Sequence, residues 1–135
     1  MARLVVDSWA WIEYFSGSEM GRKADEAMRD SSELWTSVAT IAEVVSKYRR
    51  SRREEGPAIR AITTLSRVGV PTLEDALDAG KIHSELKANM PNFSFADSFV
   101  LQLARKVNGR VLTGDPDFEG VKEADLIGAS NKPNR

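Results

Sequence analysis

The chain has no cysteine and only one histidine, His83, among its 135 residues. Without thiols there is no disulfide, no thiolate nucleophile and no zinc–thiolate site, and one imidazole is too few for a two-histidine metal motif. No apolar run approaches the roughly 20 residues that a membrane-spanning helix needs. Charge of one sign is also missing. With 19 basic and 20 acidic residues the net charge is −1, so no global field advertises a nucleic-acid partner, although a local patch still can. Internal repeats and low-complexity segments are absent. Residues Met1 to Asp7 run straight into an apolar strand without a signal-peptide pattern, and the expected location is the cytoplasm.

What is present suits one domain with one core. Leu4-Val5-Val6 reads as a short buried strand ending in Asp7, with Ser8 as helix N-cap. A helix dense in aromatics follows (Trp9, Trp11, Tyr14, Phe15) and breaks at Gly17. Glu19 to Asp30 has an amphipathic helical pattern with Met20, Ala24, Ala27 and Met28 inward. Glu33 to Thr36 is a second strand. Ser37 caps a long helix expected over residues 38–54, whose inward stripe is Ile41, Val44, Val45 and Tyr48. Pro57 opens another helix. Gly69 to Thr72 is a third strand or extended link. Leu73 to Asn89 is helical, with Leu77, Ile82 and Leu86 inward and His83 at the boundary. The pattern predicts a helix over 94–107, a turn at Asn108-Gly109 with the glycine left-handed, and a buried strand at Val111 to Thr113. Leu126-Ile127 is an edge strand, and residues 129–135 read as a loose tail beyond a domain of residues 1–128. Strands alternating with helices imply an α/β fold: an open parallel sheet covered by helices on both faces.

Four acids matter because of where that fold would put them. Asp7 ends the first strand and Asp115 follows a later one. Glu43 and Asp97 lie in or near the first turns of helices that start from the same edge of the sheet. Ligands bind at that edge in open α/β sheets. Each acid has a plain explanation by itself: Asp97 suits the positive end of its helix, and Gly-Asp-Pro-Asp is ordinary turn chemistry. Together, four converging carboxylates repel unless a cation joins them. All-oxygen donors favour Mg²⁺ or Mn²⁺ over zinc or copper. Such a cation activates water and offsets charge on a phosphate, the chemistry of phosphodiester hydrolysis, with no covalent nucleophile required.

The segments Val6-Asp7-Ser8, Ile41-Ala42-Glu43-Val44, Phe95-Ala96-Asp97-Ser98 and Leu112-Thr113-Gly114-Asp115-Pro116-Asp117-Phe118, in that order, resemble those of PIN-domain ribonucleases, and specifically the VapC toxins of type II toxin–antitoxin pairs. The resemblance covers about residues 3–127. It implies a parallel sheet of about five strands and Mg²⁺- or Mn²⁺-dependent RNA cleavage. It also implies a homodimer and a small VapB-type antitoxin that lays a peptide across the toxin. By position, Asp7 and Asp97 would be the principal metal ligands, Glu43 a ligand or orienter of water, and Asp115 or Asp117 the fourth acid. Ser8 and Thr113 would hydrogen-bond the carboxylates. Trp9, Trp11 and Phe15 would be a partner groove, unless they are core. The basic run of Lys47, Arg49, Arg50, Arg52 and Arg53 would hold RNA backbone or an acidic antitoxin segment, unless it is a solvated helix end.

Three alternatives compete. A haloacid-dehalogenase-like phosphatase needs an acid at the position of Trp9. A response-regulator receiver needs an acidic pair where Val5-Val6 stand and a phosphorylatable Asp that residues 70–73 lack. A non-catalytic PIN-like binding module would keep the sheet but has no use for four gathered acids.

Overall fold

The computed structural model describes residues 2–128. The tail expected at 129–135 lies outside the described residues. Strand β1 (Arg3–Val6) is followed by helices α1 (Ser8–Ser16) and α2 (Glu19–Arg29). Next come β2 (Glu33–Ser37), α3 (Val38–Arg50), α4 (Gly56–Leu65), β3 (Arg67–Gly69), α5 (Leu73–Lys87), α6 (Phe95–Lys106) and β4 (Arg110–Thr113). A single 3₁₀ turn (Pro116–Phe118) and β5 (Ala124–Leu126) complete the described chain. The five strands form one parallel sheet in the order β3-β2-β1-β4-β5, as the alternating pattern predicts.

Strand alternation divides the apolar side chains between two layers. Leu4, Val6 and Leu112 face a core with Trp11, Val44, Tyr48 and Ile62. Val5 and Val111 face the other, with Phe93, Leu101, Leu103 and Phe118. The chain winds from β1 outward to β3, then returns to lay β4 along the free side of β1. The neighbours β1 and β4 therefore lead to opposite halves of the sheet, and the crevice opens at their carboxyl ends.

Several local expectations are corrected. The cap of α1 is Asp7, whose carboxylate accepts from the Ser8 amide, so Ser8 is the first helical residue. α3 stops at Arg50 rather than near 54, because Arg52 enters the left-handed region (φ 59°). β3 occupies Arg67–Gly69, earlier than the stretch 69–72. Gly69 there packs against Leu103, with a Cβ falling 2.8 Å from Leu103 Cδ2. After α6 it is Asn108 that turns left-handed (φ 55°). Gly109 instead permits close approach to β1, since a Cβ would lie 2.6 Å from the Arg3 carbonyl oxygen. Leu77 is exposed, and the inward side of α5 is formed by Ala79 and Ile82.

Trp11 was a candidate partner-groove residue. The structure corrects this: the side chain is fully buried, its indole N–H donating to Thr36 Oγ1 at 3.1 Å and its ring stacked on Phe15. α1 and α2 pack so closely that a Cβ at Gly21 would overlap the Glu13 carbonyl. Gly21→Ala is expected to cost about 1–3 kcal/mol, the usual penalty of overpacking. Urea denaturation checks this, and a midpoint equal to the parent's would show that the two helices separate freely.

Candidate active site

The site begins with Asp7, 2% exposed and immediately after β1. Both carboxylate oxygens are held: Oδ1 accepts from the Ser8 amide at 2.6 Å, and Oδ2 accepts from the Thr113 hydroxyl at 2.5 Å. Thr113 ends β4, so this second bond joins the two central strands at their exit. The Thr113 hydroxyl oxygen also accepts from the Asp115 amide at 3.0 Å, and Asp115 Oδ1 accepts from the Asp117 amide at 2.9 Å. The turn after β4 is thereby tied to Asp7 through side chains.

Asp97 is 6% exposed at the start of α6. It forms a capping box: Ser94 Oγ accepts from the Asp97 amide at 3.0 Å, and Asp97 Oδ2 accepts from the Ser94 amide at 2.9 Å. Helix capping and site formation thus use the same carboxylate, and only Oδ2 is committed among the described hydrogen bonds. The Ser-x-x-Asp spacing at Ser94 is the sequence signal of this pairing.

The electrostatics bring the acids together. Burial pushes the Asp7 carboxyl from an ordinary 3.8 up to about 7, with the Thr113 hydrogen bond opposing and the charges of Asp97 and Glu43 adding to the rise. Burial likewise pushes Asp97 up to about 6; its bonds with Ser94 oppose, and Asp115 and Glu43 add. Glu43, on α3, is raised by burial, held back by the Ser8 hydroxyl and raised again by Asp115. Asp7, Glu43, Asp97 and Asp115 therefore sense one another as a set. Asp117 is raised by burial and by Asp115 and lies at the margin of the set, on the 3₁₀ turn.

The donor set fits an oxygen-preferring divalent cation. Among the described residues no group of three or more His, Cys, Asp or Glu side chains is disposed to hold a metal ion by itself. Mg²⁺ does not require one: it keeps several waters and is held by one or two carboxylates together with substrate phosphate. Thr40, one turn before Glu43 on α3, is fully buried, and its hydroxyl has no hydrogen-bond partner among the described residues. Asp7 and Asp97, with Glu43 and Asp115 beside them, are the residues placed to hold the cation.

The basic run divides by helix geometry. Lys47 and Arg50 lie one and two turns beyond Glu43 on the same face of α3 and border a groove that contains Glu43 and Asp115. Arg49 points elsewhere, making a bidentate pair with Glu55 at 3.0 and 3.1 Å. Arg53 stacks on Tyr48, 4.4 Å from the ring centroid. Arg52 borders an outer surface with Glu54 and Glu55. Trp9 is half-buried beside the acids, and Phe15 is half-buried on Trp11.

The family model described as PIN domain matches residues 4–124. No curated protein matches. Among solved structures, a toxin–antitoxin complex from Klebsiella pneumoniae superposes with a TM-score of 0.73 at 19% identity, covering 91% of this chain and 96% of that one. The Mycobacterium tuberculosis toxin VapC20, described as cleaving the sarcin–ricin loop, gives 0.71 at 18% identity, covering 92% and 98%. A DNA-bound VapBC from Salmonella typhimurium gives 0.67 at 17%, covering 93% and 97%. At these identities the likeness establishes the fold.

The raised acids fix a pH dependence. An acid whose pKa is higher in the folded state holds its proton there after the unfolded chain has lost it. Stability therefore falls as pH rises from about 4 to about 7, the window between the ordinary and folded values of Asp7. In EDTA, the thermal midpoint is expected to rise as pH is lowered from 8 toward 5.5. Asp7→Asn should raise the midpoint at pH 8 and flatten that slope. A midpoint that falls on acidification in both proteins would show that the acids are not repelling one another.

Proposed function

The chain belongs to the PIN-domain family, and from that premise we propose that it is a divalent-metal-dependent endoribonuclease, the toxin of a VapBC-type pair. One observation supports the reading: carboxylates from four distant segments lie close together beyond the ends of β1 and β4, where burial raises Asp7, Glu43 and Asp97 and the charge of neighbouring acids adds to the rise. A pure scaffold gains nothing from gathering them.

Bound there, Mg²⁺ or Mn²⁺ supplies activation of water and neutralisation of charge on the scissile phosphate. The chain's own residues do the rest. Asp7, locked by Ser8 and Thr113, presents fixed oxygens, and Asp97, anchored through Oδ2 to Ser94, leaves Oδ1 for the site. Glu43, beside Ser8 and Asp115, would orient water and take its proton, as a half-buried carboxyl with a raised pKa is suited to do. Asp115 is the fourth acid and Asp117 an outer one. His83 stacks on Phe95 at 4.0 Å and takes no part.

The partners follow the same reading. RNA is the substrate, supported by the toxin neighbour described as cleaving the sarcin–ricin loop. A VapB-type antitoxin is the inhibitor, supported by the toxin–antitoxin complexes among the neighbours. A homodimer is the working unit. Val70, Leu73 and Leu77 supply exposed apolar surface at and before the start of α5, on which a second chain can pack. No helix among the described residues is long and apolar enough to cross a membrane, and the protein acts in the cytoplasm.

Cleavage of a pool of structured and unstructured RNAs is expected to require Mg²⁺ or Mn²⁺ and to stop in EDTA. Asp97→Asn should lower the rate by at least about 100-fold while circular dichroism stays unchanged. Retention of full cleavage by that variant, or cleavage indifferent to EDTA, would remove the nuclease assignment.

A further inference from the structure

Beside the acids lies a groove of about 390 Å³ between α1 and α3. Its α1 wall is Trp9 and Ile12, and its α3 wall is Ser46, Lys47 and Arg50. Glu43 and Asp115 close the inner end. The groove is therefore continuous with the crevice in which the scissile phosphate sits in the reading above, and this inference rests on that reading.

We infer that this groove is a nucleotide subsite, in which the base next to the scissile phosphate stacks on Trp9 and the adjoining phosphates lie on Lys47 and Arg50. Three observations carry it. First, Trp9 is fixed as a platform: a Cβ at Gly114 would overlap its ring, so the absent side chain lets the indole lie against the turn that leads into Asp115. An immobilised indole binds any base through its π-face with little entropy left to lose. Second, cations and acids are ordered along one face of α3. Lys47 is about 6 Å along the axis from Glu43 and Arg50 about 11 Å, a gradient from negative to positive that runs outward from the acids. Arg50 is steered by Ser46, its Nε donating to Ser46 Oγ at 3.2 Å. Third, the other cations of the run lie away from the groove: Arg49 pairs with Glu55, Arg53 stacks on Tyr48, and Arg52 borders the outer surface with Glu54 and Glu55. A chain alternating phosphates with flat bases matches this lining, whereas an acidic peptide has no use for Trp9.

Binding can be separated from cleavage. In EDTA, a fluorescently labelled uridylate hexamer and its adenylate counterpart are titrated against the full chain at several salt concentrations, with anisotropy as readout. The Lys47→Ala/Arg50→Ala double variant is expected to weaken binding at least 10-fold. It should also reduce the slope of log affinity against log salt by about 1.4, the share of two single-strand phosphates. Arg49→Ala/Arg52→Ala should change affinity less than twofold. Trp9→Phe should bind within about threefold of the parent and Trp9→Leu 5- to 100-fold more weakly, the range of one lost base stack. Equal losses in the two arginine-bearing pairs would overturn the subsite in favour of diffuse charge. Full affinity in Trp9→Leu would overturn the stacking platform, and capture of a polyglutamate peptide in place of either hexamer would assign the groove to a protein segment. Mn²⁺ titration of the same proteins by calorimetry keeps the two readings apart. Absence of metal binding by the parent counts against the nuclease assignment. Intact metal binding with unaltered hexamer binding in the Lys47/Arg50 variant counts against the subsite alone.

Discussion

The hydrogen bond from the Thr113 hydroxyl to the Asp7 carboxylate holds the site together at the point where the sheet changes direction. β1 and β4 are neighbours in space but 106 residues separate their last polar side chains. Their parallel pairing fixes Val6 beside Leu112, so the next residues on each strand emerge side by side. The fold thus forces an acid and a hydroxyl into contact at full burial, where a hydrogen bond to a charged group is strong and its loss costly. The same hydroxyl oxygen organises the Asp115 turn, which in turn orders Asp117. One threonine therefore sets the positions of three acids.

That arrangement carries a standing electrostatic cost. Burial raises Asp7 and Asp97, with Asp97 and Glu43 adding to the rise at Asp7, and Asp115 and Glu43 at Asp97. The protein offsets part of it with donors: backbone N–H groups at the starts of α1 and α6, two hydroxyls and the partial positive charge of helix N-termini. Asp75 shows what full compensation looks like elsewhere in the same chain. It forms an equivalent capping box with Thr72, but Lys106 at 2.8 Å and Gln102 at 2.9 Å also donate to it. Its carboxyl is held well below the usual range, foremost by Lys106. Two capping-box aspartates at the starts of α5 and α6 thus diverge in opposite directions. The difference is a cation at one, and burial reinforced by other acids at the other.

The architecture was legible because it rests on period and order. Short aliphatic strands between amphipathic helices leave few alternatives to a parallel sheet, and acids placed just after strands or just inside helices then share an edge. Features that depend on approach distance rather than pattern were hidden. Asn108, not Gly109, takes the left-handed conformation, because the glycine is needed where β1 and β4 meet. Trp11 reads like Trp9 in sequence, yet its N–H finds Thr36 in the core while Trp9 stays at the crevice. Asp7 rather than Ser8 caps α1, since a side chain already held by Thr113 also reaches the Ser8 amide. In each case tertiary contact decides between residues that local propensity treats as equivalent.

The basic run shows the same point at the level of function. As a string, Lys47 to Arg53 is a block of positive charge at a helix end, and the dipole would explain it without any ligand. The 100° step of the helix separates it. Positions 43, 47 and 50 share a face with the acids, position 49 turns toward Glu55, and the break at Ser51-Arg52 folds Arg53 back onto Tyr48. A chain with a net charge of only −1 can therefore carry a directional field: the opposing charges are not scattered but ordered along α3, negative at the sheet edge and positive outward. That order matters more than net charge, because it sets the mutual repulsion of the acids at the sheet edge and positive charge one and two turns outward.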